Sequence, residues 1–167
     1  MGKITNEELL NSINSKFEGQ ITVTGEPFGL LTVETGAQNI IGLLSYLKND
    51  PVLQFIYLTD ITAIHYPEQE KAIGVLYHLH SLVNNVRIRI KVFIDAVDCH
   101  IPTATVLWNG ANWMERETYD LFGVIFDGHP DLRRILNVDD MTAFPMRKEF
   151  PLEDPNRVDK KDYFFGR

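Results

Sequence analysis

The sequence contains a single cysteine, Cys99, among its 167 residues. One thiol cannot form a disulfide within the chain, and it cannot supply the four thiolates of an ordinary iron–sulfur cluster. We therefore expect that any redox group with which the protein works is held by another chain.

Long apolar runs are also missing. No run approaches the roughly 20 residues needed to cross a bilayer, and the start, MGKITNEELL, lacks the apolar core of a signal peptide. Hydrophobic residues make up 44% and charged residues 23% of the chain, which is typical of a folded domain. The sequence predicts a protein that stays in the cytoplasm.

The chain has fewer basic than acidic residues, and its formal net charge is -7. This balance argues against general nucleic-acid binding, which requires clustered Lys and Arg to neutralise phosphates. The charges are unevenly distributed, however. Residues 71 to 95 hold four basic residues against one acid, a basic island in an acidic protein.

The N-terminal half shows clear signals for helices and strands. Thr5 and Glu8 have the spacing of a capping box, and apolar residues follow at helical intervals. Two strand-like segments, ITVTGE and GLLTVET, flank a turn at residues 27 to 29. A second helix then runs from about Ile40 and ends near Pro51.

Three consecutive strands follow, LQFIYLTDITAIHY, AIGVLYHLHSLV and VRIRIKVFID. A two-residue turn at Asn84 and Asn85 would pair Leu79 with Ile90 on one face of the hairpin. The register would also oppose two pairs on the other face: His80 with Arg89, and His78 with Lys91. The pattern predicts a sheet with one apolar and one cationic face, the apolar face being covered by the first two helices.

These elements predict an α+β fold in which N-terminal helices pack on one face of a mainly antiparallel sheet. A motif-bearing helix and an extended C-terminal tail follow. We assign residues 1–136 to a single domain and residues 137–167 to a tail that contacts neighbouring subunits. Prolines recur at positions 145, 151 and 155, too often for a helix.

Two short patterns resemble catalytic or metal sites. His78 and His80 form an H-x-H that can bind zinc, but they lie among cations without acidic or thiol partners, which favours a cationic surface. Cys99 and His100 could act as nucleophile and base, but adjacent residues rarely face one another and no orienting acid is near.

The segment from Trp113 to Leu136, WMERETYDLFGVIFDGHPDLRRIL, is dense in ionisable groups. A helix ending at Gly123 would separate Glu115 from Glu117, so a carboxylate dyad is disfavoured. The same helix would bring Arg116 and Asp120 together as an ion pair beside Trp113. An aromatic residue flanked by paired charges is typical of a protein interface.

Beyond this helix, a turn at residues 128 to 131 contains His129, and Arg133 and Arg134 follow. Guanidinium groups bind carboxylates or phosphates through two parallel hydrogen bonds. Because no glycine-rich phosphate loop accompanies them, we expect the carboxylates of a partner protein as their target.

The motifs E-R-E, D-L-F-G and H-P-x-x-x-R, at the spacing found in residues 115 to 134, closely resemble those of the thirty-kilodalton subunit, or C subunit, of NADH:quinone oxidoreductase, respiratory complex I. The segment R-K-E-F-P-L, residues 147 to 152, is similar to a later motif of that family, with Glu149 where aspartate is usual.

This resemblance implies a non-catalytic structural subunit in the peripheral arm of a proton-translocating complex. It implies contacts with the D, B and I subunits on the cytoplasmic side of the bacterial inner membrane, with no membrane span of its own. NADH, FMN, the iron–sulfur clusters and quinone would bind elsewhere in the complex, and this chain would hold no cofactor and no metal. The interface residues expected on this basis are Trp113, Glu115, Arg116, Glu117, Asp120, His129, Arg133, Arg134 and Arg147.

Another assignment stays open at this stage. The same motifs occur in the related subunit of energy-converting hydrogenases and of ferredoxin-dependent relatives of complex I. A free-standing hydrolase that uses Glu115 or His129 has weaker support from the residues.

Overall fold

The computed structural model describes residues 4–151. Its helices are α1 (Asn6–Lys16), α2 (Ile40–Asn49) and α3 (Ala111–Phe122). Its strands are β1 (Ile21–Gly25), β2 (Leu31–Thr35), β3 (Tyr57–His65), β4 (Ile73–Ser81), β5 (Val86–Ile94), β6 (His100–Pro102) and β7 (Ile125–Asp127).

Five of these strands form the central sheet, in the order β1-β2-β5-β4-β3. Every neighbouring pair is antiparallel except β2 and β5, which run parallel. Strands β6 and β7 form a separate parallel pair next to α3. The prediction of an α+β fold with a mainly antiparallel sheet is therefore confirmed.

The turn between β4 and β5 is longer than predicted. Four residues, 82 to 85, connect the strands, so Leu79 pairs with Ile88 and not with Ile90. The side chain of Asn84 donates hydrogen bonds to the carbonyls of Val52 and Leu53, which fixes this wider loop against the end of α2. The predicted pairs were wrong by two positions, but each strand still turns the predicted residues to each face, because side chains alternate with a period of two.

The apolar face of the sheet forms the core. Its inward side chains come from β2, β3, β4 and β5, and α1 and α2 cover them with leucine and isoleucine side chains that are fully buried. This confirms the predicted cover by the first two helices. The capping box of α1 is also present, since Thr5 and Glu8 each bind the backbone N–H of the other.

Residues 137 to 151 contain no helix or strand, yet they pack on the body of the chain. The N–H of Met146 donates to the carbonyl of Leu121 in α3, and the N–H of Lys148 donates to the imidazole of His65 in β3. The rest of the predicted tail lies outside the described residues. Within residues 4–151, no helix is both long and apolar enough to span a membrane.

Gly123 ends α3 in a left-handed conformation, with φ at 78°. A Cβ atom added there would lie 2.5 Å from the ring of Phe144, so both the backbone and the packing require glycine. We expect Gly123→Ala to lower the free energy of unfolding by about 1–3 kcal/mol, measured by urea denaturation.

Gly110 at the other end of α3 provides the matched control. It has an ordinary φ of -64°, and no atom lies within 4 Å of its added Cβ. Gly110→Ala should change stability by less than about 0.5 kcal/mol, and an equal loss in both variants would contradict the role given to Gly123.

Candidate functional site: the charged network around helix α3

Helix α3 lies between strand β3 and the segment of residues 133 to 147. One side of the helix faces the sheet, where the hydroxyl of Thr118 donates to the carbonyl of Ile61. Ala111, Thr118 and Phe122 are buried there, and Met114 and Leu121 are partly buried. The charged residues of the helix occupy both the buried and the exposed sides.

The carboxylate of Asp120 binds the chain that follows β7. Its Oδ2 accepts hydrogen bonds from the backbone N–H groups of Ile135, Leu136 and Asn137, at 3.0, 2.7 and 2.9 Å. Its Oδ1 accepts from Arg134 Nη1 at 2.7 Å and from the side chain of Asn137 at 3.0 Å. Burial opposes ionisation, but these hydrogen bonds outweigh it and hold the pKa of Asp120 well below its usual range.

Three arginines continue this network by donating to backbone carbonyls. Arg134 binds the carbonyls of Met141 and Ala143 as well as Asp120. Arg116 donates to the carbonyls of Arg133 and Arg134, at 3.2 and 3.1 Å.

Arg147 returns to the C-terminal end of α3. Its Nε donates to the carbonyl of Phe122 at 2.6 Å, and its Nη1 donates to the carbonyl of Ala96 at 3.2 Å. The last carbonyls of a helix have no partner within the helix and carry partial negative charge, so a guanidinium there is favourable. Arg134 and Arg147 also lie against the ring of Phe144, at 5.2 and 5.0 Å from its centroid.

Glu115 is fully buried on the side of α3 away from this network. Its Oε1 accepts from the N–H of Ala104 at 2.6 Å, and its Oε2 lies 2.5 Å from the hydroxyl of Thr103. Burial raises the pKa of Glu115 to about 7, although both hydrogen bonds act in the opposite direction. The carboxyl group is thus enclosed by its own chain.

His129 closes the turn that follows β7, and its side chain is also buried. Its Nδ1 accepts from the N–H of Asp131 at 3.0 Å, so Nε2 carries the proton and donates to the carbonyl of Asn112 at 3.1 Å. The carboxylate of Glu115 lies 4.0 Å from Nε2. His129 therefore connects the turn to the first turn of α3.

The structure corrects two predicted contacts. Arg116 does not pair with Asp120, because Asp120 binds Arg134 and Arg116 binds main-chain carbonyls of the segment that covers the helix. Arg133 and Arg134, which were expected to bind carboxylates of a partner, pair with Asp131 and Asp120 of this chain. Both residues are buried in the chain itself. The separation of Glu115 from Glu117 is as predicted, since the first is buried and the second exposed.

Three of the nine predicted interface residues remain on the surface. Trp113 is 61% exposed, Glu117 is exposed, and the side chain of Arg133 is 69% exposed and pairs with Asp131. Leu136, 65% exposed, follows on the same segment as Arg133. We call Trp113, Glu117, Arg133 and Leu136 the α3 surface. Its apolar side chains stand among charges, an arrangement that suits a protein partner.

The two short patterns both have acidic neighbours, contrary to the prediction from sequence. His100 Nδ1 lies 2.8 Å from the carboxylate of Asp127, and His78 Nδ1 lies 3.7 Å from that of Asp60. Burial raises the pKa of the Cys99 thiol to about 11, so the thiol stays protonated. His78 accepts a hydrogen bond from Arg89. Within residues 4–151, no group of three or more His, Cys, Asp or Glu residues is placed to hold a metal ion.

Three residues of the site escaped the sequence analysis: Asn137 and Phe144 in the network, and Thr103 beside Glu115. All three act through loops, and nothing in their local sequence signals the contact. The burial of Glu115 did have a signal, because Ala111, Glu115, Thr118 and Phe122 recur at the spacing of one helix face.

Comparison with known proteins gives consistent results. Residues 33–156 match the family model described as the respiratory-chain NADH dehydrogenase, 30 Kd subunit. The C subunit of the NADH-quinone oxidoreductase of Citrifermentans bemidjiense is 41% identical over 152 residues, which cover 91% of this chain and 93% of that protein. The corresponding subunit of Geobacter sulfurreducens is 40% identical over 153 residues, with the same coverage.

Solved structures show the same fold. The trypsin-resistant fragment of Nqo5 superposes with a TM-score of 0.64 at 32% identity, covering 75% of this chain and 98% of the fragment. A chain of the archaeal membrane-bound sulfane sulfur reductase superposes with a TM-score of 0.74 at 24% identity, covering 93% of this chain and 96% of its own. The latter likeness concerns the fold alone.

The raised pKa of Glu115 predicts how stability depends on pH. The folded state holds the proton more tightly than the unfolded state, so stability falls as pH rises from about 4.5 to about 7, by up to about 3 kcal/mol. Glu115→Gln carries no charge, and its amide oxygen can still accept from the N–H of Ala104 while its amide nitrogen donates to the hydroxyl oxygen of Thr103. Its stability should stay level across this pH range in urea denaturation, and a fall as large as that of the parent protein would contradict the prediction.

Asp120 should be the residue on which the position of the 133–147 segment depends most. Asp120→Ala leaves Arg134 buried without its carboxylate, at an expected cost of about 3–5 kcal/mol in the free energy of unfolding. Hydrogen exchange should accelerate at the amides of residues 135 to 137. Arg133→Ala, which removes an exposed ion pair, is the control and should cost less than about 1 kcal/mol. Equal effects of the two variants would refute the assignment.

Proposed function

Since the chain belongs to the family of the 30-kilodalton subunit of the respiratory-chain NADH dehydrogenase, we propose that it is a non-catalytic, structural subunit of an NADH–quinone oxidoreductase. The observation that carries this proposal is that the motif's buried charges are engaged within the chain. Asp120 accepts five hydrogen bonds from side chains and backbone, and Glu115 accepts two.

A catalytic carboxylate needs access to the reacting atom and a pKa suited to proton transfer. Asp120 is ionised and enclosed, and Glu115 is enclosed as well. Their chemistry therefore suits the fixing of a loop, which in turn determines the shape of the α3 surface. This supports a role in assembly for the E-R-E and D-L-F-G motifs.

We further propose that the D, B and I subunits of the same complex are the neighbours of this chain, as its family resemblance implies. The α3 surface, Trp113, Glu117, Arg133 and Leu136, is the part of the motif that would contact them directly. A second group of buried residues would contribute indirectly, by holding that surface in place: Glu115, Arg116, Asp120, His129, Arg134 and Arg147.

In this proposal the chain holds no cofactor, and the FMN and iron–sulfur clusters of the complex are held by partner subunits. NADH and quinone bind elsewhere in the complex. The protein would lie on the cytoplasmic side of the bacterial inner membrane, attached through its partners. It would serve electron transfer to quinone without exchanging electrons itself.

Copurification tests the proposal directly. The tagged chain would be isolated from membranes in mild detergent, and its companions identified by mass spectrometry. We expect flavin- and NADH-binding subunits together with cluster-bearing ones. A large subunit with nickel-binding cysteines would instead assign the chain to a hydrogenase, and recovery of the chain without companions would overturn the proposal.

Trp113→Ala should reduce the yield of assembled complex at least tenfold, because a central aromatic residue commonly contributes about 2 kcal/mol or more to an interface. Turnover per assembled complex should remain that of the parent. Val97→Ala, which changes a more exposed apolar residue (97% against 61% for Trp113) in the loop between β5 and β6, is the control. Normal assembly with lost turnover would show that Trp113 serves the reaction and not the interface.

A further inference from the structure

The outer face of the sheet, opposite the core, carries a cluster of cations. His78 lies opposite Arg89, His80 opposite Arg87, and Leu76 opposite Lys91 in the β4–β5 pairing. Because side chains alternate along a strand, the side chains of these six residues all point away from the core face. The predicted cations are therefore present on this face, with pairs shifted by the wider turn, but carboxylates flank them. Glu34 of β2 lies opposite Lys91, and Asp60 of β3 lies opposite His78, with 3.7 Å between Asp60 Oδ2 and His78 Nδ1.

Arg87, Arg89 and Lys91 find almost no acceptor within the described part of the chain. Within residues 4–151, Arg87 and Lys91 make no side-chain hydrogen bond or ion pair, and the single hydrogen bond of Arg89 runs from its Nε to His78 Nε2, at 2.9 Å. His78 thereby fixes the guanidinium of Arg89. The two terminal nitrogens of Arg89 have no acceptor within residues 4–151. A fixed guanidinium with free donors is suited to bind a carboxylate.

An aromatic residue in an unfavourable conformation stands beside these cations. Phe28 is completely exposed and has a φ of 58°, the left-handed region that a bulky side chain rarely adopts. Such a conformation costs of order 1–3 kcal/mol and is found most often at functional sites. The Phe28 ring is exposed and has no compensating contact within residues 4–151. This indicates that the ring packs against another molecule.

Two clefts join these features. One, of about 450 Å³, is lined by the turn at Phe28 together with Arg87 and Arg89. The other, of about 430 Å³, is lined by Asp60, His78 and Arg87. Because both include Leu30 and Arg87, the clefts adjoin and form one concave area. We call it the outer-face cleft.

We propose that the outer-face cleft is a second docking surface, separate from the α3 surface, and that it binds an acidic segment of another subunit of the complex. Carboxylates of that segment would pair with Arg87 and Arg89, and an apolar side chain would pack on Phe28. The identification of the partner as a subunit of the complex rests on the proposed function. The charge and shape of the partner rest on the cleft alone.

The concave shape favours a protein segment over a membrane surface. Clefts of this size accept side chains, whereas a lipid surface contacts protruding residues. The net charge of -7 disfavours nucleic acid as the occupant.

Photo-crosslinking in the assembled complex tests the proposal. A benzophenone amino acid would replace Phe28, and mass spectrometry would identify the cross-linked peptide. We expect a peptide of another subunit with Asp or Glu within a few residues of the link. The same probe at Val97 is the control for general accessibility and should not label that peptide. Links only to lipid, only to a second copy of this chain, or to nothing would overturn the proposal.

Charge reversal gives an independent test. Arg87→Glu combined with Arg89→Glu should reduce the cross-link at least tenfold, and reversal of the partner's acids to lysine should restore it. Lys16→Glu, in helix α1 on the opposite face of the sheet, is the control for a change in charge. Absence of rescue in a folded double variant, or an equal effect of Lys16→Glu, would contradict the proposal.

Failure of the docking surface and failure of the proposed function give different results. If the companions are NADH dehydrogenase subunits and no cross-link to them forms, the cleft proposal fails and the proposed function stands. If the companions belong to another enzyme and one of them is linked through an acidic segment, the proposed function fails and the docking surface stands.

Discussion

The architecture of the motif region depends on one interaction, the binding of three consecutive backbone N–H groups by the carboxylate of Asp120. A carboxylate that is buried requires full compensation, and here main-chain donors and Arg134 provide it. The interaction fixes a loop that has no helix or strand of its own. Without it, the segment that covers α3 would be held by the hydrogen bonds of Arg116 and Arg147 and by apolar contacts.

The buried arginines compensate backbone carbonyl groups in the way that the N–H groups compensate Asp120. Irregular backbone next to a protein core leaves many carbonyls in need of donors, and a guanidinium can satisfy several at once. Arg116, Arg134 and Arg147 together bind carbonyls from α3, from the loop after β5 and from residues 133 to 143. Spacing between E-R-E, D-L-F-G and the later arginines is therefore explained by the geometry of one packed network.

The sequence predicted the helices and strands better than it predicted the contacts among charged side chains. Helix α1 could be predicted because its capping box and apolar spacing are local signals, and the faces of β4 and β5 followed from alternation. The register of their hairpin could not, because Asn84 stabilises the four-residue turn through contacts with Val52 and Leu53, about thirty positions away.

Prediction of the candidate site had the same limit. Helical spacing placed Arg116 beside Trp113, where its guanidinium lies 5.2 Å from the ring centroid, but the ion pair that it predicted between Arg116 and Asp120 does not form. It could not reveal that Arg134 would take Asp120 as its partner, since that choice depends on the path of the loop after β7. Family resemblance identified the region as important, and the structure supplies the physical role of each group.

The central claim, that the ionisable motif supports structure and takes no part in electron or proton transfer, can be tested at Glu115, the motif carboxyl whose pKa of about 7 would best suit proton transfer. The measurement is NADH:quinone turnover per assembled complex carrying Glu115→Gln, across roughly pH 6 to 8, the range around that pKa. We expect turnover equal to that of the parent complex throughout. A loss of turnover in a complex that is fully assembled would contradict the claim.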